Sequence, residues 1–352
     1  MKVLVATVSS PFTRGGAEAL LDHLVDAVAD AGHEVDVVTA PFQHGPSDRV
    51  ARSVDFWLDQ DFDIVDGVEV DRLICLKFPT YLARHPRKTV WLMHQLRGYY
   101  ELWNQTVLEH RCDRGGLELR ARVHRLDRRA LSSPTPFTLS KTVSARLRYF
   151  SGLPSKPLYH PPPRAGALKT GMSEGFLLVP GRLVWHKRVD LVLRALAEAR
   201  PPTRVLVAGE GPERSRLEAL ASSLGIGRRV DFLGRVSDED LMDLYARCLA
   251  VVYAPLDEDY GYVTLEAMLA AKPVLTCTDS GGTLEFVRDG ETGLVVPPDP
   301  VLLGQAINQL AEQQDSAARL GERGLEHYRS LGLSWPKVVG QLLDVDGAED
   351  GP

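Results

Sequence analysis

The 352-residue sequence has little of several things, and each shortage removes a class of function. No apolar stretch runs unbroken for the roughly 20 residues that cross a bilayer, so the chain is not expected to be integral to a membrane. The opening MKVLVATVSSPF has an apolar run, Val3 to Val8, shorter than the hydrophobic region of a secretory signal. It reads as a buried first strand, with the cytoplasm as the expected location. No basic block is present and the formal net charge is -6. Nucleic acid is therefore not expected as a partner, because phosphate binding needs a dense positive surface. The four cysteines, Cys75, Cys112, Cys248 and Cys277, include no C-x-x-C pair. That argues against a zinc site or a disulfide framework and for buried, reduced thiols.

What is present is a globular composition, 44% hydrophobic and 25% charged, at about twice the commonest domain length, so two domains are expected. KVLVATVSS, a Gly-Gly turn and AEALLDHLVDAVADAGH, with Leu20, Leu21, Leu24, Val25 and Val28 at helical spacing, lead after Gly32 into EVDVVTA. This is a strand-helix-strand unit long enough for a right-handed parallel crossover. DIVDGV, DRLICLKF, KTVWLMHQ and PFTLS read as further strands of an open sheet covered on both faces. From 151 to 175, SGLPSKPLYHPPPRAGALKTGMSEG crowds proline, glycine and serine and loses periodicity. The scheme then repeats through FLLVPGRL, TRVLVAGEG, RVDFLG, LAVVYAP, KPVLTCT and TGLVVPP. The expected fold class is α/β, two Rossmann-like doubly wound domains facing across a cleft, where such folds hold ligands. Their expected spans are 1–160 and 176–332, with a linker at 161–175 and a terminal helix at 333–352 that can pack back on the first domain. Trp335 and Pro336 mark the break before that helix.

Four stretches sit where strands hand over to loops or helices. TRGGAE, Thr13 to Glu18, places Gly15 and Gly16 at a helix mouth, where backbone N–H groups and the helix dipole suit an anion; a plain tight turn fits as well. GRLVWHKRVD sets Arg182 just after a strand and Lys187 before a helix. A guanidinium fork with a point charge suits a diphosphate, and solvated surface charge is the alternative. VLVAGEGPE runs into Gly209 and Gly211, which are expected at the donor site; as a dinucleotide fingerprint GEGPER fails for want of the third glycine, although Asp231 lies near the distance of a ribose-binding acid. In EDYGYVTLEAM, Glu258 falls in a loop and Glu266 in the first turns of a strongly helical segment after Gly261. Free N–H groups near Gly261, Tyr262 and Val263 would meet phosphate while the carboxylates accept from sugar hydroxyls. Alone, such an acid pair is common in a chain with 47 Asp and Glu.

In order, TRGGAE, GRLVWHKR, AGEGPE, FLGRV and the E-x7-E stretch followed by a GG turn and DGETGLVVPP resemble the retaining nucleotide-sugar glycosyltransferases of the GT-B fold, family 4. Through WLMHQLRGYYELW, HRLDRRALSS and YHPPP the chain is most similar to mannosyltransferase-like members of bacterial polysaccharide and O-antigen pathways. The resemblance implies that Arg182 and Lys187 hold the donor diphosphate, Glu266 binds the ribose, and Glu258 faces the donor sugar. It implies that Gly15 and Gly16 approach the donor phosphates and that FLGRV, through Val236, meets the base. His94 matches a histidine near the transfer centre, with a strand-capping histidine as its alternative. Two departures touch the acceptor-side domain, Leu139 before Ser140 and the extra Pro136; Trp185 and His186 do not fix the sugar.

The implied reaction moves a hexose from a nucleotide diphosphate sugar to an acceptor hydroxyl with retention. Cations against the leaving diphosphate lower its barrier, so neither a metal nor another cofactor is expected. A noncatalytic nucleotide-sugar-binding protein of the same fold is the alternative. Arg97, Tyr99, Tyr100 and Trp103 are expected on the acceptor side, for a carbohydrate, glycolipid or small-molecule acceptor. In GGLELRARVHRLDRRALSS, Leu119, Val123, Leu126 and Ala130 form an apolar stripe and Arg122, Arg125 and Arg129 a basic face. That helix either packs on the sheet with solvated arginines or touches anionic lipid at the inner membrane face.

Overall fold

The computed structural model describes residues 1–10, 15–104, 114–200 and 202–343; Thr13 and Cys112 lie outside them. The chain forms two compact units, Met1–His160 with the chain from Ser334 onward, and Pro161–Leu333. Unit 1 contains β1 (Lys2–Ser9), α1 (Gly16–Asp30), β2 (Glu34–Pro41), α2 (Ser47–Asp59), β3 (Ile64–Val65), β4 (Val68–Glu69), β5 (Arg72–Cys75) and β6 (Lys88–Leu92). It continues through α3 (Arg114–Ala130), β7 (Phe137–Thr138), α4 (Lys141–Ser151) and β8 (Lys156–Pro157). Unit 2 runs β9 (Phe176–Pro180), α5 (Val189–Glu198), β10 (Arg204–Ala208), α6 (Arg214–Ser223), β11 (Val230–Gly234), α7 (Asp238–Arg247) and β12 (Ala250–Val252). Then come α8 (Tyr262–Leu269), β13 (Val274–Cys277), β14 (Gly293–Val296), α9 (Pro300–Glu312) and α10 (Gln314–Ser330).

Each unit is built on a six-stranded sheet, ordered β2-β1-β5-β6-β7-β8 in unit 1 and β11-β10-β9-β12-β13-β14 in unit 2. Every pairing within them is parallel. Central strands covered by helices on both faces have no polar side, which is why FLLVP of β9 is buried at every position. In unit 2 the chain steps outward from β9 to β11 and restarts at β12 on the other side of β9. The carboxyl ends of β9 and β12 are therefore a topological switch point, the place where α/β folds hold ligands.

DIVDGV departs from the expected sheet. Asp66 and Gly67, with φ of 48° and 79°, close a two-residue antiparallel turn between β3 and β4, which stand outside the main sheet. A D-G pair tolerates this left-handed geometry, and local turn chemistry overrides the apolar pattern. At the other end, Gly332 (φ 58°) breaks the chain before α11 (Trp335–Leu343), so Trp335 and Pro336 lie in the first turn of that helix rather than before it. Proline is tolerated there because first-turn N–H groups have no helical partner. α11 packs on α1 and β6: Thr89 Oγ1 donates to Leu342 O at 3.0 Å, and Trp335 stands edge-on to Trp91.

Cys75, Cys248 and Cys277 are buried and free. Burial pushes the first two thiols up to about 12 and the third to about 11, so they stay protonated and inert. Among the described residues, no helix is long and apolar enough to cross a membrane.

The apolar stripe of α3 enters the core of unit 1, with Leu119 and Val123 buried and Leu126 and Ala130 packed against them. The stripe also carries Asp127, which is 0% exposed. Tyr81 and Tyr100 donate to its two oxygens at 2.9 and 2.8 Å and Gln95 donates at 3.1 Å, while no cation pairs with it among the described residues. Burial pushes the carboxyl up to about 6 against those three hydrogen bonds. The native state therefore takes up a proton that the unfolded chain, with an aspartate near pH 4, does not hold. The contribution is full below about pH 4 and is lost as pH rises through about 6. Relative to Asp127→Asn, the parent should be more stable at acid pH than at neutral pH in urea titrations. A pH-independent difference would contradict this account of Asp127.

Candidate functional site

The β9 and β10 exits are stitched together. Gly181 N–H donates to Ala208 O at 2.9 Å, Leu183 N–H to Glu210 O at 2.9 Å and Glu213 N–H to Leu183 O at 3.1 Å. A Cβ on Gly209 would lie 1.9 Å from Gly181 O and one on Gly211 2.2 Å from Leu183 O. These glycines are required by backbone approach, and their place is beneath the loop that carries Arg182. Arg182 is exposed; its backbone carbonyl accepts from Val184 N–H at 3.0 Å, and its side chain makes no hydrogen bond or ion pair among the described residues.

Arg188, at φ 50°, turns the chain into α5. Its guanidinium donates to Ala254 O at 2.8 Å and Pro255 O at 2.9 Å and grips Asp279 in a two-pronged pair at 2.7 and 2.6 Å. It thereby ties the β9 exit to the exits of β12 and β13. The loop after β12 lies along the Gly281-Gly282 turn: Asp257 N–H donates to Asp279 O at 2.9 Å and Gly282 N–H to Glu258 O at 2.7 Å. A Cβ on Gly281 would fall 2.5 Å from Glu258 O, so only glycine admits this contact.

The two loops bring Lys187 and Glu258 into a direct ion pair, with side chains 18% and 16% exposed. Lys187 Nζ also donates to Tyr253 Oη at 2.7 Å, and that hydroxyl donates to Glu258 Oε2 at 2.8 Å. The ammonium stands 5.2 Å from the Tyr253 ring centroid. Burial works against the Glu258 charge, but Lys187 and the hydrogen bonds from Lys187 and Tyr253 outweigh it and hold the carboxyl below its ordinary value. Glu258 is thus a fixed carboxylate and a poor proton donor.

Gly261 caps α8 with φ 84°, ahead of half-buried Tyr262 and Val263. Beside it are the Oγ1 atoms of Thr283 and Thr264, 3.1 and 3.5 Å from where its Cβ would be, both buried without a hydrogen-bond partner among the described residues. Glu266, 3% exposed, accepts from Arg164 Nη1 at 2.8 Å and Tyr245 Oη at 2.8 Å. Val236 follows the β11 exit and is half-buried. Glu258 and Glu266 therefore occupy separate networks, and Tyr253 lies within the field of both.

In unit 1, Gly15 caps α1 and Gly16 opens it. The Gly15 N–H is taken by Glu18 Oε2 at 2.8 Å, and Glu18 pairs with Lys77 at 3.3 Å. Glycine has no side chain to return the bond, so this is half a capping box, and a carboxylate of the chain itself sits at the helix mouth. His94 Nδ1 lies 2.6 Å from Gln95 O and, facing a carbonyl, carries a proton. His94 lines a small pocket with Gln95, Glu101, Val143 and Arg146. Arg97 pairs with Glu101 at 2.6 Å, and the Arg120 guanidinium lies 4.6 Å from the Trp103 ring centroid.

Tyr99 and Tyr100 correct the expectation of an acceptor-facing pair. They are 0% and 2% exposed, Tyr100 stacks on His124 at 4.1 Å, and its hydroxyl serves Asp127. Large aromatics bury more area than a loop edge offers, and this core takes both. Sequence reasoning passed over Arg164, Arg188, Tyr245 and Tyr253. Arg188 is adjacent to Lys187, and Tyr253 directly follows β12 at the switch point, so position alone was a usable signal for both.

Residues 167–327 match the family model described as Glycosyl transferases group 1. The D-rhamnosyltransferase WbpZ of Pseudomonas aeruginosa is 32% identical over 59% of this chain and 56% of its own. The D-inositol 3-phosphate glycosyltransferase of Nocardia farcinica is 35% identical over 53% of this chain and 44% of its own. The chain thus spans about half the length of these curated relatives. The structure of Anabaena Alr3699/HepE in complex with UDP and glucose superposes with a TM-score of 0.70 at 18% identity, covering 98% of this chain and 99% of that one. This likeness shows the fold, the paired Rossmann-like architecture of GT-B proteins.

The glycine contacts make a direct claim. Gly209→Ala should cost about 2 kcal/mol or more, read as a lower urea midpoint at unchanged slope. Glu210→Ala, at an exposed neighbour, should stay within about 0.5 kcal/mol; equal costs would contradict the close-approach account.

Proposed function

We propose that this chain is a retaining glycosyltransferase moving a hexose from a nucleoside diphosphate sugar to an acceptor hydroxyl. The observation that carries the reading is the Lys187–Glu258–Tyr253 cluster at the carboxyl end of β9 and β12, with Arg182, whose side chain has no partner among the described residues, on the same loop as Lys187. A fixed ammonium and a guanidinium free to reorient suit a diphosphate whose charge grows as the glycosidic bond breaks. The family match to residues 167–327 and the names of the relatives support the same chemistry.

In this reading the donor diphosphate takes Lys187 and Arg182, Glu266 receives the ribose hydroxyls, and Glu258 is released toward the sugar hydroxyls. The amide end of α8 at Gly261, Tyr262 and Val263 serves the phosphates. The bond from the anomeric carbon to the leaving phosphate breaks, the acceptor oxygen bonds to that carbon on the same face, and the leaving phosphate oxygen takes the acceptor's proton. No protein base is required, which agrees with a Glu258 held ionised, and the two cations carry the charge without a metal. His94, Arg97 and Trp103 remain the acceptor candidates. GDP-mannose or a UDP-sugar is the proposed donor. The protein works in the cytoplasm, and Arg125 and Arg129, exposed on α3, are the residues for any contact with anionic lipid.

Lys187→Ala should lower transfer by about 100-fold or more while the fold is retained, and chelator should leave the parent's rate unchanged. A near-normal rate in the variant, or a rate abolished by chelation and restored by a divalent ion, would overturn this reading.

A further inference from the structure

Arg164 has no role in the reading above, yet it makes the most specific polar contacts of the linker. It follows Pro161, Pro162 and Pro163, whose rings restrict the backbone leading to it. A tight turn holds it from the other side, since Ala167 and Leu168 N–H groups donate to Arg164 O at 3.0 and 3.2 Å. From this rigid base its side chain reaches 102 positions along the chain to Glu266, donating from Nη1 to Oε1 at 2.8 Å. The other edge of the fork, Nε and Nη2, grips Asp238 Oδ1 at the start of α7 at 3.0 and 2.6 Å. Tyr245, on α7, donates to the second oxygen of Glu266 at 2.8 Å. One arginine and one helix thus lock both oxygens of a buried carboxylate.

We propose that Arg164 is the positioning residue of the ribose-binding acid, holding Glu266 so that its two unused lone-pair directions accept the ribose hydroxyls. The inference rests on the assignment of Glu266 to the ribose and adds a residue from outside the donor motifs. A carboxylate accepts about four hydrogen bonds, so Arg164 and Tyr245 leave room for a vicinal diol. An acid 3% exposed with no such partner would be costly to keep charged and free to rotate away. Lysine could supply the charge but not the fork that spans Asp238 and Glu266.

The test is calorimetric binding of a ribonucleoside diphosphate and its 2',3'-dideoxy analogue to the parent, Arg164→Gln, Arg164→Lys, Glu266→Gln and the Arg164→Gln/Glu266→Gln double variant. The base is whichever of GDP or UDP the parent binds more tightly. The parent should prefer the ribose form by at least about tenfold, the scale of hydrogen bonds to a charged group. Arg164→Gln should bring the preference within about twofold of unity while the dideoxy form binds as before. Arg164→Lys should recover part of it, and the double variant should match Glu266→Gln alone, because both remove one function. The double variant carries no unpaired buried charge, so it remains informative if Arg164→Gln folds poorly. Retained preference in Arg164→Gln, or equal losses for both nucleotides, overturns the role of Arg164. Failure of the parent to bind any nucleoside diphosphate overturns the underlying function, and this inference with it.

Discussion

The pairing of Lys187 with Glu258 is the interaction around which unit 2 is arranged. Holding an ammonium and a carboxylate together at less than a fifth exposure costs solvation, and the structure recovers it with a hydroxyl that serves both groups and an aromatic face beneath the cation. That geometry needs two loops from opposite sides of the switch point to meet. Arg188 clamps them, and backbone contacts fit only because Gly209, Gly211 and Gly281 have no Cβ. Residues more than seventy positions apart in sequence are thereby held in one hydrogen-bonded cluster.

A second regularity is that most cations here are already matched by carboxylates of the chain. Lys187 has Glu258, Arg188 has Asp279, Arg164 has Glu266 and Asp238, and in unit 1 Lys77 has Glu18. Arg182 differs from these in having no partner among the described residues. An anionic ligand would meet Arg182 first and would have to replace Glu258 at Lys187.

Much of this was legible in sequence because it depends on local pattern. Alternating apolar strands and helical stripes reported both Rossmann-like units, whereas Arg182, Lys187, Glu258 and Glu266 were ordinary charges taken singly and drew attention only through the order of the motifs that carry them. DIVDGV misled because an apolar run looks alike in a sheet and in a hairpin, and the Asp66-Gly67 turn decided the matter. Tyr99 and Tyr100 misled because aromatics beside a strand end suit a ligand wall and a core equally, and Asp127, hidden within an amphipathic stripe, drew Tyr100 inward. Arg164 and Tyr245 reach Glu266 from far along the chain, and no periodicity carries that information. Glycines 209 and 211 were visible as glycines at a strand exit, while their contacts with the neighbouring loop appear only in three dimensions.

The central claim is that the Lys187–Glu258 cluster at the unit 2 switch point is a diphosphate site. Calorimetric titration of the parent protein with GDP and UDP, each against its own monophosphate, tests it most directly. The account predicts that at least one diphosphate binds about tenfold or more tightly than its monophosphate, with the advantage falling as salt is raised. Equal affinities for the two, or no binding of either nucleotide at low salt, would contradict it.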